Sequence, residues 1–129
     1  MKIAIRVLIV AQNPLMREGL TLLVHLQEDM ELAGAASTAQ EAVRLFRDQR
    51  PNLTVMDLDL PRCGALDAIR EICAGDGRAH IIGLATYGGD DRWKAALTAG
   101  VAVCLCKDGL GDTLPAMIRA HAHRFRSEA

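Results

Sequence analysis

Residues 53–61 read Leu53-Thr54-Val55-Met56-Asp57-Leu58-Asp59-Leu60-Pro61. A strand-length run that is apolar at nearly every position, instead of every second one, marks a strand buried on both faces. A central strand of a parallel sheet is the usual place for one. Working outward, similar runs recur at Ile5 to Ala11, Glu31 to Ala36, His80 to Ala85 and Val101 to Cys106, with segments of helical period between them. This alternation, uninterrupted by linkers or low-complexity sequence, predicts an α/β fold, a three-layer α/β/α domain around a five-stranded parallel sheet. A length of 129 residues suits a single domain spanning 1–129.

The intervening segments carry helix signals. Asn13 followed by Pro14 is an N-cap before an N1 proline, and the spacing of Leu15, Gly19, Leu22, Leu23 and Leu26 predicts one inward face. Thr38 with Glu41 makes a capping box before Ala39, Ala42, Val43 and Phe46, and Pro51 closes that helix. Leu66, Ile69, Ile72 and Cys73 mark a third helix, and Trp93, Ala96 and Leu97 a fourth that Gly100 ends. Asp112 is expected to cap a fifth, with Pro115 in its first turn and Leu114, Met117, Ile118, His121 and Phe125 facing in.

A formal net charge of -1, from 15 basic and 16 acidic residues, supplies no field that would draw the chain onto nucleic acid or an anionic membrane. No span of about 20 apolar residues is present, nor a signal-peptide layout. The expectation is a soluble, cytoplasmic chain that makes no membrane or nucleic-acid contact of its own. Cys63, Cys73, Cys104 and Cys106 lack C-x-x-C spacing and read as reduced, small core hydrophobes. The basic cluster Arg119, Arg124 and Arg126 reads as cations favoured near a helix C-terminus.

In an open parallel sheet, reacting groups gather beyond the carboxyl ends of the strands. Asp57 ends the third strand, Thr86 follows the fourth and Lys107 follows the fifth. A carboxylate, a hydroxyl and an ammonium therefore meet at one edge. An aspartate can attack phosphorus to give an acyl phosphate, while a lysine and a hydroxyl hold the phosphoryl oxygens. Spacing alone leaves a second reading open, in which Asp57 and Lys107 form a structural ion pair and Thr86 merely starts a loop.

Further residues decide between these. Ile5 to Val10 followed by Pro14, Leu15, Arg17, Glu18, Gly19 and Leu20, then Arg50 and Pro51 before Met56, Asp57, Leu58 and Pro61, then Ala99, Gly100, Leu105, Lys107 and Asp108, stand in a specific joint order. Over nearly its whole length the chain resembles a response regulator receiver domain of two-component signalling, most similar to the NarL/LuxR class. The resemblance implies a flavodoxin-like sheet of order 2-1-3-4-5, Asp57 as phosphoacceptor, Thr86 as the switch hydroxyl and Lys107 as the phosphoryl-contacting lysine. It also implies a histidine kinase or other signalling protein as partner and a symmetric homodimer. A helix-turn-helix domain would follow in a longer parent chain. Such a domain is not an enzyme beyond self-phosphorylation from a phosphodonor.

The pattern breaks at the pocket. Members of this family end the first strand with two acidic residues that help hold Mg²⁺; here those positions are Ala11 and Gln12. Asp57, Asp59 and Gln12 are left as the candidate metal set, expected to bind Mg²⁺ weakly or not at all, because this hard cation favours carboxylate oxygens. Cys104 stands at the aromatic switch position, and Gly64 and Ala65 alter the loop after Pro61. Two functions follow. One is an atypical receiver, impaired in Mg²⁺-dependent aspartyl phosphorylation and regulated by protein interaction or dimerisation. The other is a competent phosphoacceptor modified on Asp57 by a histidine kinase and controlling transcription. A flavin-binding protein is disfavoured, since the loops lack a phosphate cradle and paired aromatics.

Overall fold

The computed structural model describes residues 4–76 and 79–128, with the backbone alone for 63 and 123–128. The side chains of Cys63, Arg124, Phe125 and Arg126 therefore lie outside the described residues. The strands are β1 (Ile5–Val10), β2 (Met30–Ala36), β3 (Leu53–Asp57), β4 (Ile81–Ala85) and β5 (Val103–Cys106). They alternate with helices α1 (Pro14–His25), α2 (Ala39–Gln49), α3 (Gly64–Gly75), α4 (Asp91–Ala99) and α5 (Leu110–Glu128). All strand pairs are parallel, in the order β2-β1-β3-β4-β5. The expected α/β architecture and strand order are thus observed.

Two apolar layers cover the sheet. On one face Leu8, Val10, Met56 and Ile81 pack with Phe46 of α2, Ile69 and Ile72 of α3 and Ala96 of α4. On the other, Val7, Ile9, Val55, Ile82 and Leu84 pack with Leu20 and Val24 of α1 and Leu114 and Ile118 of α5. Every residue of β3 and β4 is buried, as expected of strands covered on both sides.

The helix starts follow local chemistry. Asn13 accepts hydrogen bonds from the backbone N–H groups of Leu15 and Met16, and Thr38 from that of Glu41. Both satisfy donors that a helix cannot pair internally. Asp90 does the same for Trp93 at α4.

Several expected details are corrected. In α1 the inward face is Leu20 and Val24 with Met16 and Leu23 against them, while Leu15, Leu22 and Leu26 are 78, 58 and 67% exposed. Apolar residues surround this helix, and the 16, 20, 23, 24 set forms a tighter stripe than the one expected. Leu97 of α4 is also exposed. The fifth helix begins at Leu110, so Asp112 lies inside its first turn, where a carboxylate favours the helix dipole, and Pro115 lies inside the helix. Cys106 is exposed, unlike buried Cys104. Arg119 is not a dipole cation; its guanidinium grips Asp29 through two hydrogen bonds of 2.8 and 3.0 Å. No helix among the described residues is long and apolar enough to cross a membrane.

Candidate functional site

The site forms where β3, β4 and β5 end. Asp57 is the last residue of β3, in register with Leu84 of β4, and its side chain is only 7% exposed. The next backbone steps hold the strand ends together: the N–H of Leu58 donates to the Leu84 carbonyl, and that of Lys107 to the Ala85 carbonyl. Thr86 and Lys107 thereby emerge from adjacent strand ends beside Asp57.

Lys107 Nζ lies 2.9 Å from Asp57 Oδ1 and 2.8 Å from Asp59 Oδ2. Thr86 Oγ1 donates to Asp59 Oδ2 at 2.8 Å, and the Arg92 guanidinium to Asp59 Oδ1 at 2.6 Å. The backbone N–H of Asp59 donates to Asp57 Oδ1 at 2.9 Å. This Asx-type turn brings the chain back over the pocket and carries the Asp59 carboxylate in with it. Asp57, Thr86 and Lys107 are therefore brought together, with Asp59 at the centre of the donors.

Electrostatics follow from the contacts. Burial alone would raise the Asp59 carboxyl, but hydrogen bonds from Lys107, Thr86 and Arg92 outweigh it and lower its pKa from 3.8 to about 2. Burial would lower Lys107; its bonds to Asp59 and Asp57 prevail and raise it above 10.5. Cys104, at the aromatic switch position, is buried with its thiol 3.9 Å from the Trp93 carbonyl. Desolvation, with the Asp90 charge second, pushes that thiol up to about 11, so it is a packed, un-ionised group. Tyr87 is exposed.

The candidate metal set fares differently. Ala11 is fully buried and offers no side-chain oxygen. Gln12 is exposed and lines a groove with Ser37, Thr38, Pro61 and Arg62. The Arg17 guanidinium donates to the carbonyls of Ala11 and Gln12 at 2.9 and 3.0 Å, placing a fixed cation against the end of β1. Among the described residues no group of three or more His, Cys, Asp and Glu side chains could hold a metal ion. Mg²⁺ demands a near-octahedral oxygen shell. Asp57 and Asp59 are both turned to Lys107, and Gln12 lines its groove.

In the sequence Asp59 read as a solvated loop residue or a weak metal ligand, and Arg92 carried no signal at all. An arginine in the first turn of α4 carries no motif; only the fold shows that it reaches the loop after β3.

Residues 7–119 match the family model described as the response regulator receiver domain. The uncharacterised transcriptional regulatory protein YxjL of Bacillus subtilis is 31% identical over 118 residues, covering 92% of this chain and 54% of that protein. A LuxR-family two-component response regulator from an Aurantimonas species superposes with a TM-score of 0.86 at 31% identity, over 93% of this chain and 86% of that one. The fold is also that of CheY from Borrelia burgdorferi, solved with CheX, BeF3 and Mg²⁺, with a TM-score of 0.82 at 19% identity, over 92% of this chain and 89% of that one. The chain spans about half the length of the curated relatives it matches, 54 to 56% for YxjL and YhcZ of B. subtilis.

Proposed function

Since this chain belongs to the response regulator receiver domain family, we propose that it is an atypical receiver whose Mg²⁺-dependent aspartyl phosphorylation is impaired. Receiver domains are signalling domains, generally bind Mg²⁺ in an acidic pocket and interact with histidine kinases and phosphotransfer partners. Relatives of this one are transcriptional regulators. The observation that carries the proposal is the end of β1, where buried Ala11, exposed Gln12 and the Arg17 guanidinium stand in place of an acidic pair. Without anionic oxygen ligands there, a divalent cation has little to neutralise and little to hold it.

Output is then set by protein contacts. The occupant proposed for the exposed row of Leu15 and Leu22 on α1 and Leu26 at its C-cap is a second copy of the chain, related by two-fold symmetry. We place the domain at the head of a longer cytoplasmic transcription regulator, with a helix-turn-helix domain reading DNA and 1–129 contacting none.

The second reading, a competent phosphoacceptor serving a histidine kinase, is favoured by one specific contact, the 2.9 Å approach of Lys107 to Asp57. Calorimetric Mg²⁺ titration of the natural chain and of the Ala11→Asp, Gln12→Asp double variant separates the two. Restored carboxylates are expected to tighten binding by about tenfold or more, near 1.4 kcal/mol. A natural chain that already binds Mg²⁺ as tightly as the double variant favours the competent acceptor.

A further inference from the structure

The donors that would receive a phosphoryl group on Asp57 already hold an anion. Thr86 Oγ1 and Lys107 Nζ both lie 2.8 Å from Asp59 Oδ2, and Arg92 closes on the other oxygen at 2.6 Å. One carboxylate thus links the loop after β3, the loop after β4, the first turn of α4 and the end of β5.

We propose that Asp59 is the resident anion of this site, a built-in stand-in that holds Thr86, Lys107 and Arg92 in their anion-bound arrangement with no phosphoryl group on Asp57. The inference rests on the receiver reading above and gives its pocket a regulatory state. Two features distinguish it from an ordinary surface ion pair. The Asp59 N–H bond to Asp57 Oδ1 fixes the turn that aims the side chain inward, so the carboxylate is presented by the backbone instead of by a freely rotating loop. Charge is also balanced: two carboxylates, Asp57 and Asp59, face two cations, Lys107 and Arg92. A phosphoryl group brings roughly two further negative charges, which would have to share Lys107 and Thr86 with Asp59 while Asp59 stays in place.

Asp59 therefore does two things. It keeps the strand ends tied in one arrangement without a signal, and it competes with an incoming phosphoryl group for the same donors. In the transfer, an Asp57 oxygen bonds to phosphorus as the bridging P–O bond of acetyl phosphate breaks and acetate leaves with the electron pair. The charge spread over the phosphoryl oxygens then needs Thr86 and Lys107.

The test separates this inference from the metal reading by adding Asp59→Ala to the Ala11→Asp, Gln12→Asp double variant. Comparing double with natural chain tests the metal reading; comparing triple with double tests Asp59 alone, with the metal ligands common to both. Acetyl phosphate and Mg²⁺ are supplied, and phosphoryl uptake is followed by intact mass. The triple variant is expected to be modified about tenfold faster or more, the effect of removing a competitor worth at least one charge-assisted hydrogen bond. Asp59→Asn in the same background, isosteric but uncharged, falls between and guards against a folding defect in the alanine variant. Equal rates in double and triple variants, whether both fast or both zero, overturn the proposal. A slower triple variant also overturns it and makes Asp59 a metal ligand.

Discussion

Replacing Lys107 with methionine removes the cation that, among the described residues, touches both pocket carboxylates, and the structure sets the size of the loss. At 2.8 and 2.9 Å, each pair has a gross attraction of about 6 kcal/mol at an effective dielectric of about 20. Most of that is offset by the cost of drying the charges. Breaking a buried pair on one side typically costs about 3–5 kcal/mol, and the 26% exposure of the lysine side chain pulls the expectation to about 2–3 kcal/mol. Asp59 keeps Arg92 and Thr86, whereas Asp57 loses the cation it faces while buried, so most of the loss falls on Asp57. Urea unfolding of natural chain and variant at neutral pH measures it. A loss below about 1 kcal/mol, the level of an exposed surface pair, would refute the reasoning.

Other perturbations follow from the same geometry. The lowered pKa of Asp59 means its contribution is present above 3.8 and is lost as pH falls through about 2. The stability gap between the natural chain and Asp59→Asn, at most about 2 kcal/mol before solvent screening, should close over that window in acid melts, and a gap that persists below it contradicts the assignment. Gly83→Ala would put a Cβ 3.0–3.2 Å from three Leu58 side-chain carbons; about 1–3 kcal/mol of destabilisation is expected in denaturant titration, and a neutral result would show that Leu58 moves aside freely. Leu22→Glu, on the exposed row of α1, should change stability by less than about 0.5 kcal/mol yet shift sedimentation from dimer to monomer. A variant that remains dimeric removes α1 from the interface.

How much of this was legible in the sequence depends on whether local pattern or tertiary contact decides the feature. The β3 run from Leu53 to Asp57 has the observed bounds, because a strand buried on both faces writes its environment into consecutive residues. Asn13 and Thr38 were readable for a similar reason: a cap acts on N–H groups two or three positions away. The inward face of α1 was not, since its apolar residues run around the helix and only packing against β1 and β2 chooses among them. Asp57, Thr86 and Lys107 could be placed at one edge from strand ends alone. The role of Asp59 could not, because its three partners are 27, 33 and 48 residues away, a coincidence that no spacing within the loop announces.

The proposed impairment of Asp57 as a Mg²⁺-dependent acceptor is decided by incubating the unmodified protein with acetyl phosphate, with and without Mg²⁺, and reading intact mass. Little or no gain of one phosphoryl mass is expected, with no dependence on the metal. Rapid, Mg²⁺-dependent addition of one phosphoryl group, abolished by Asp57→Ala, would overturn it.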